Sequence, residues 1–209
     1  MAETRDTQGK SGLSRRGFLK GVGAGTAAAG LVTTVTREDQ VAEAAPTVQG
    51  PGEIPITLTV NGENKELSVE PRVTLLDAMR NRLDVTGVKR VCDRGTCGAC
   101  TMLVDGKPVY GCTMLAVEAD GADVKSIEAL GSPDAMNAVQ EAFVEHDAQQ
   151  CGFCTPGFVV AATAFLEQNP SPTRDEVREG LGGNLCRCGT YDGIIDAVLD
   201  ASGKMKGGA

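Results

Sequence analysis

With 209 residues, 27 glycines and an aromatic content of only 3%, the chain has room for one or two small domains rather than one large core. Its 20 basic and 28 acidic residues leave a formal charge of −8, and no basic stripe with interleaved aromatics is present to neutralise a phosphate backbone, which excludes nucleic acid as a partner. The single histidine, His146, excludes a zinc site of two cysteines and two histidines and also a Rieske cluster, so metal chemistry falls to the eight cysteines.

In chain order, Ser14-Arg15-Arg16-Gly17-Phe18-Leu19-Lys20 precedes a weakly apolar run from Gly21 to Thr36, and Ala42-Glu43-Ala44 has the small-x-small form of a cleavage site. This predicts a twin-arginine export leader over residues 1–44, a linker over residues 45–52 and a mature chain in the periplasm. The run from Gly21 to Thr36 is built from Gly, Ala and Thr and falls short of the ~20 apolar residues of a spanning helix, so no stable membrane span is expected in the mature chain.

From Ile54 to Val60 the chain is β-branched and alternating, Asn61-Gly62 is a tight-turn pair and Glu66 to Val69 offers the returning strand. Thr74 can cap a helix running to Leu83, with Leu75, Leu76, Met79 and Leu83 on one face. A cysteine-rich loop follows, then strand-like Thr101 to Val104 and a second turn at Asp105-Gly106. Hairpin, helix, loop and strands in this order resemble the β-grasp arrangement of plant-type ferredoxins, expected over residues 53–130. After Gly131-Ser132-Pro133 the spacing becomes helical in Asp134–Glu145, Gly157–Gln168, Thr173–Gly180 and Asp192–Ala201, which predicts a small helical bundle over residues 131–209. The fold class is therefore α+β. His146, after Ala142-Phe143-Val144, reads as an ordinary helix-end residue.

Cys92, Cys97, Cys100 and Cys112 are spaced C-x4-C-x2-C-x11-C, and the first three fit the plant-type 2Fe-2S pattern. Such a cluster needs two thiolates on each iron. A tight loop must aim three sulfurs inward while a later strand or turn returns the fourth, and Gly95 and Gly98 suit that loop because they reach positive φ. The second set, Cys151-x2-Cys154 and Cys186-x-Cys188, also offers two ligands per iron, although by spacing alone paired cysteines build four-cysteine zinc sites as well.

The flanking residues are more specific. Gln150-Cys151-Gly152-Phe153-Cys154-Thr155-Pro156-Gly157 and Gly183-Asn184-Leu185-Cys186-Arg187-Cys188 resemble the signature segments of the iron-sulfur subunits of the xanthine dehydrogenase and aldehyde oxidase family. So do Thr86-Gly87-Val88-Lys89 and Cys92-Asp93-Arg94-Gly95-Thr96-Cys97-Gly98-Ala99-Cys100, and the resemblance spans roughly residues 54 to 200. It implies two 2Fe-2S clusters, with that of Cys151, Cys154, Cys186 and Cys188 nearer the molybdenum-pterin cofactor of a large catalytic partner subunit. It also implies that Gln150 and Cys188 lie against that pterin, whereas residue chemistry alone makes Gln150 a helix cap or surface amide. Arg187 is equally consistent with a cluster-tuning charge and a surface cation. Gly189-Thr190-Tyr191 replaces the commoner Thr-Gly-Tyr and resembles the isoquinoline-oxidoreductase branch, which tends to pass electrons to a haem protein. The expected acceptor is thus a cytochrome or a flavin subunit.

A free-standing double 2Fe-2S carrier and a secreted domain stapled by four disulfides are the alternatives. Twin-arginine signals serve proteins that fold before export, which argues against the disulfides. A self-contained redox enzyme lacks its parts, because the mature chain has no Gly-x-Gly-x-x-Gly loop, no phosphate loop and no nucleophile-and-base motif. The chain is expected to move electrons and to leave bond chemistry to its partner.

Overall fold

The computed structural model describes residues 50–207. The predicted leader over residues 1–44, with Arg15 and Arg16, and all but the end of the linker lie outside the described residues.

The first half is a five-stranded sheet around one helix. Strands β1 (Ile54–Val60) and β2 (Glu63–Val69) form an antiparallel hairpin from Ile54 opposite Val69 to Val60 opposite Glu63. Its tight turn places Asn61 and Gly62 at φ 50° and 86°, the left-handed pair that matches strand twist. Ile56, Leu58 and Val60 alternate inward, as a half-buried strand requires. Helix α1 (Leu75–Asn81) is capped by the Thr74 hydroxyl, which accepts from Asp77 N–H at 3.1 Å, and it buries Leu75, Leu76 and Met79 on the sheet. A second hairpin, β3 (Thr101–Val104) with β4 (Lys107–Tyr110), and a short strand β5 (Asp123–Lys125) complete the order β2-β1-β5-β3-β4. β5 runs parallel to β1 and antiparallel to β3.

The second half is helical: α2 (Ala138–Glu145), α3 (Thr155–Gln168), α4 (Arg174–Gly180) and α5 (Tyr191–Gly207). The first of these starts later than its predicted Asp134. Ser132 and Ala135 bridge each other, and Asn137 with Gln140 forms a reciprocal capping box that sets the start. Phe143, Phe158, Leu166, Val177, Ile194 and Val198 fill its core.

The halves share a wall. Met102 and Val104 of β3 belong to the sheet core, whereas Leu103, on the opposite face, packs with Val160 and Ala164 of α3 and with Ile127 and Leu130. This is why all four residues of β3 are buried. No described helix is long and apolar enough to cross a membrane.

Candidate metal centres

The first cysteine set is sculpted by backbone. Cys92 and Cys97 lie in the loop between α1 and β3, Cys100 immediately precedes β3, and Cys112 follows β4. The β3–β4 hairpin pairs Thr101 with Tyr110 and so brings Cys100 and Cys112 to one end. Asp93, Gly95 and Gly98 take φ of 55°, 67° and 68°, turning the loop so that its N–H groups face sulfur. Gly95 N–H donates to Cys112 Sγ at 3.2 Å and Thr96 N–H to Cys92 Sγ at 3.4 Å. Such donors stabilise negative charge on ligand sulfurs. The thiols meet as Cys92 with Cys97 and Cys100 with Cys112.

The second set is assembled from helix ends. Cys151 sits in the bend after α2, Cys154 occupies the N-cap position of α3, and Cys186 and Cys188 lie in the loop that leads into α5. Both α3 and α5 therefore begin beside the sulfurs, with the positive ends of their dipoles towards them. Here the thiols pair across segments, Cys151 with Cys188 and Cys154 with Cys186, so that C-x2-C and C-x-C each give one sulfur to each pair.

Protonation is uneven in both sets. The Arg94 N–H, against the opposing effect of burial, brings the Cys92 thiol down to about 6, whereas burial and then Cys112 push Cys100 up to about 12. Burial, and then Cys186, push Cys154 up to about 12 as well. For Cys186 burial also works upward, but the Thr190 hydroxyl and N–H outweigh it and bring the thiol down to about 7. A bound cation replaces the protons that such pairs would otherwise share.

The donor sets fit iron-sulfur chemistry. All eight cysteines are free, and each set consists of thiols alone. A four-cysteine zinc site would gather its sulfurs around one ion at ~3.8 Å from each other. Among the described residues, three potential ligand atoms mutually within 4.8 Å occur instead at Glu145, His146 and Asp200. Two pairs of thiols, each pair serving one iron, is the arrangement a 2Fe-2S cluster requires.

Burial gives the centres a direction. Cys97, Cys100, Cys112 and Cys186 are buried, Cys92 and Cys154 are half-buried, and Cys151 and Cys188 are exposed. Gln150 is exposed beside Cys151, and Phe153 and Leu185 stand out at 51% and 47% exposure. Arg187 is exposed as well. His146 caps the end of α2 and faces Asp200 at 3.4 Å, away from any cysteine partner. Sequence reasoning passed over two residues. The Thr190 hydroxyl lies 3.2 Å from Cys186 Sγ, and the Tyr191 hydroxyl accepts from Cys186 N–H at 2.9 Å. The signal for Thr190 was the Gly-Thr-Tyr departure, which touches the environment of a sulfur as well as bearing on the acceptor, whereas Tyr191 ends both versions of the segment and gave none.

Sulfur sets on a small mixed sheet and on helix ends define an iron-sulfur electron-transfer protein. The profile of the 2Fe-2S iron-sulfur cluster binding domain matches residues 58–127, and that of a second 2Fe-2S binding domain matches residues 126–199. The aldehyde oxidoreductase iron-sulfur-binding subunit PaoA of Escherichia coli O157:H7 is 42% identical, over 93% of this chain and 90% of its own. The nicotine 6-hydroxylase small subunit of Paenarthrobacter nicotinovorans is 49% identical over 73% of this chain and 92% of its own. A chain in the crystal structure of quinoline 2-oxidoreductase from Pseudomonas putida 86 superposes with a TM-score of 0.72 at 44% identity, covering 75% of this chain and 98% of that one. The chain belongs to the iron-sulfur small subunits of the xanthine dehydrogenase and aldehyde oxidoreductase family of molybdenum hydroxylases. Within that family it is an electron-transfer subunit and not the catalytic one.

Proposed function

We propose that the chain relays electrons, one at a time, from the molybdopterin centre of a large catalytic partner through two 2Fe-2S clusters to an external acceptor. Cys151, Cys154, Cys186 and Cys188 would hold the cluster on the partner's side, and Cys92, Cys97, Cys100 and Cys112 the cluster on the acceptor's side. When bound, the clusters supply one-electron redox chemistry. The residues fix the sulfurs, donate N–H groups to them and exclude water from the inner ones. The observation that carries the reading is the burial gradient, with exposed Cys151, Cys188 and Gln150 at one end and buried sulfurs inside. Gln150 and Cys188 are free to meet the pterin, and the apolar Phe153 and Leu185 beside them suit a protein partner.

We assign residues 53–130 to a plant-type ferredoxin-like β-grasp domain and residues 131–209 to the helical cluster-binding domain. Residues 1–44 are assigned to a twin-arginine leader that takes the assembled complex to the periplasm, and residues 45–52 to a linker. The likeness to PaoA covers 93% of this chain and so reaches back into the segment before Gly50. Gly189-Thr190-Tyr191 favours a cytochrome over a flavin subunit as acceptor. Relatives named for aldehyde, nicotine and quinoline resemble the chain to similar extents, which supports a reading in which the partner chooses the substrate.

One experiment tests these assignments together. Wild type and the Arg15→Lys/Arg16→Lys variant are expressed, cells are fractionated, and the complex is purified anaerobically from each compartment. Lysine keeps the charge but loses the guanidinium fork. Both proteins are expected to carry about four iron and four labile sulfide per chain, two per cluster. The wild type should be periplasmic and the variant cytoplasmic. Zinc in place of half the iron would overturn the second cluster, and full export of the variant would overturn the leader.

A further inference from the structure

We infer that Gly183-Asn184-Leu185 forms the electronic bridge between the two metal centres, with Asn184 as the residue that positions it. The inference rests on the two-cluster reading above.

Three consecutive residues reach from the helical half to the sheet half, each by a hydrogen bond. Tyr110 Oη donates to the Gly183 carbonyl at 2.8 Å. Asn184 Nδ2 donates to the Gly98 carbonyl at 2.9 Å and to Thr101 Oγ1 at 3.3 Å. Leu185 N–H donates to the Cys97 carbonyl at 2.9 Å. The last of these joins a cysteine of one set to the residue before Cys186 of the other. From Cys97 Sγ to Cys186 Sγ the path is roughly ten covalent bonds and a single hydrogen bond, with no gap to cross. Both of its ends are buried sulfurs, whereas the exposed Cys151 and Cys188 lie on the outer side. Electronic coupling decays far less steeply along bonds than across empty space, so a continuous bonded path between inner sulfurs outweighs any longer route around the surface.

Asn184 is what holds the path closed. Its side chain is polar yet only 5% exposed, and burial of an amide is costly unless its donors are met, as both are here. The Gly98 carbonyl in turn receives the Thr101 hydroxyl at 2.6 Å, so Asn184 completes a small closed network directly beside Cys97. The backbones are in contact at the seam. A Cβ on Gly98 would meet Asn184 Cγ at 2.6 Å, and one on Gly157 would meet the Gly98 carbonyl at 2.4 Å. In transfer across this seam one electron leaves the reduced centre of the second set and reaches the oxidised centre of the first. No bond forms or breaks, and no proton is needed.

The test uses the assembled complex with two variants of graded severity, Asn184→Leu and Tyr110→Phe. The first removes both Asn184 donors, and the second removes only the Gly183 latch. Hydrogen exchange at the Leu185 amide should accelerate by roughly tenfold in Asn184→Leu, as loss of a buried hydrogen bond implies, and less in Tyr110→Phe. On rapid mixing with substrate, the second-set signal should fill at the wild-type rate while the first-set signal fills severalfold more slowly, in the order wild type, Tyr110→Phe, Asn184→Leu. A purely structural role would not split the two rates. Faster Leu185 exchange with an unchanged first-set rate in either variant overturns the bridge. If Asn184→Leu loses iron, the Tyr110→Phe rates decide alone. A wild type lacking two separate iron signals would instead sink the two-cluster reading, and the two failures are thereby distinguishable.

Discussion

The two cysteine sets solve one problem by different means. In the first, three sulfurs come from one short loop whose backbone is bent into left-handed conformations at Asp93, Gly95 and Gly98. In the second, sulfurs from two distant segments meet because α3 and α5 dock on a common core and begin beside the cysteines. A loop of the first kind depends on φ angles and backbone N–H donors. A site of the second kind depends on the packing that holds the helices together, and its outer sulfurs stay exposed where the helices end.

The largest expected effect comes from removing a sulfur from each set in turn. Cys97→Ser should abolish the first-set electron paramagnetic resonance signal and leave the second, and Cys154→Ser should do the reverse, each losing about half the iron. Loss of both signals in either variant would mean that the sets are one cooperative unit, and the contrast drawn above would break.

Next in size is a cavity in the helical core. Phe158 is 1% exposed and meets the Tyr191 ring edge-on at 6.4 Å, and Tyr191 in turn accepts from Cys186 N–H. Phe158→Ala should cost about 3–5 kcal/mol and release the second-set iron at a lower temperature than the first-set iron. Thermal melts followed at both signals check this, and simultaneous release would contradict packing as the basis of the second set.

The smallest effect is electrostatic. Lys204, and then His146, hold the Asp200 carboxyl below its usual range, while Glu145 and then Asp200 hold the Lys204 ammonium above its own. A depressed carboxylate stabilises above its unfolded value of about 3.9 and loses that contribution as pH falls through its folded value. A raised ammonium stabilises below about 10.4 and loses its contribution as pH rises through its folded value. Lys204 meets Glu145 of α2 at 2.5 Å and Asp200 of its own helix at 3.1 Å, so the first contact ties α2 to α5 at the surface. Lys204→Met should lower the thermal midpoint slightly at neutral pH and low salt, with the difference vanishing in acid or high salt. A difference that persists under those conditions would show that packing of the lysine stem, and not charge, is responsible.

The same contrast explains what could be read from the sequence. The first set was legible because its spacing is local, and so were β1 and the Thr74 cap, each set by neighbouring residues. The second set was ambiguous by spacing because its sulfurs pair across segments, and only the flanking residues resolved it. β5 was missed: three residues with one buried side chain, Val124, give no periodic signal, and its place between β1 and β3 is fixed by long-range pairing. α5 continues past its predicted end at Ala201 because Lys204 pairs with Glu145 and Asp200 beyond the apolar stripe. Asn184 was visible only as part of a signature. Nothing local says that an asparagine will be buried against a carbonyl 86 residues away.

The alternation of β3 has a further consequence. Leu103 serves the helical side while its neighbours Met102 and Val104 serve the sheet side, so one pleat is read by both cores. Sliding this strand by one residue would swap the occupants of both at once. Alignment of the halves is therefore digital and not graded: it can be right or wrong by a whole residue, but it cannot drift. The spacing between the two cysteine sets is inherited from the pleat of a four-residue strand, much as the pitch of a screw is inherited from its thread.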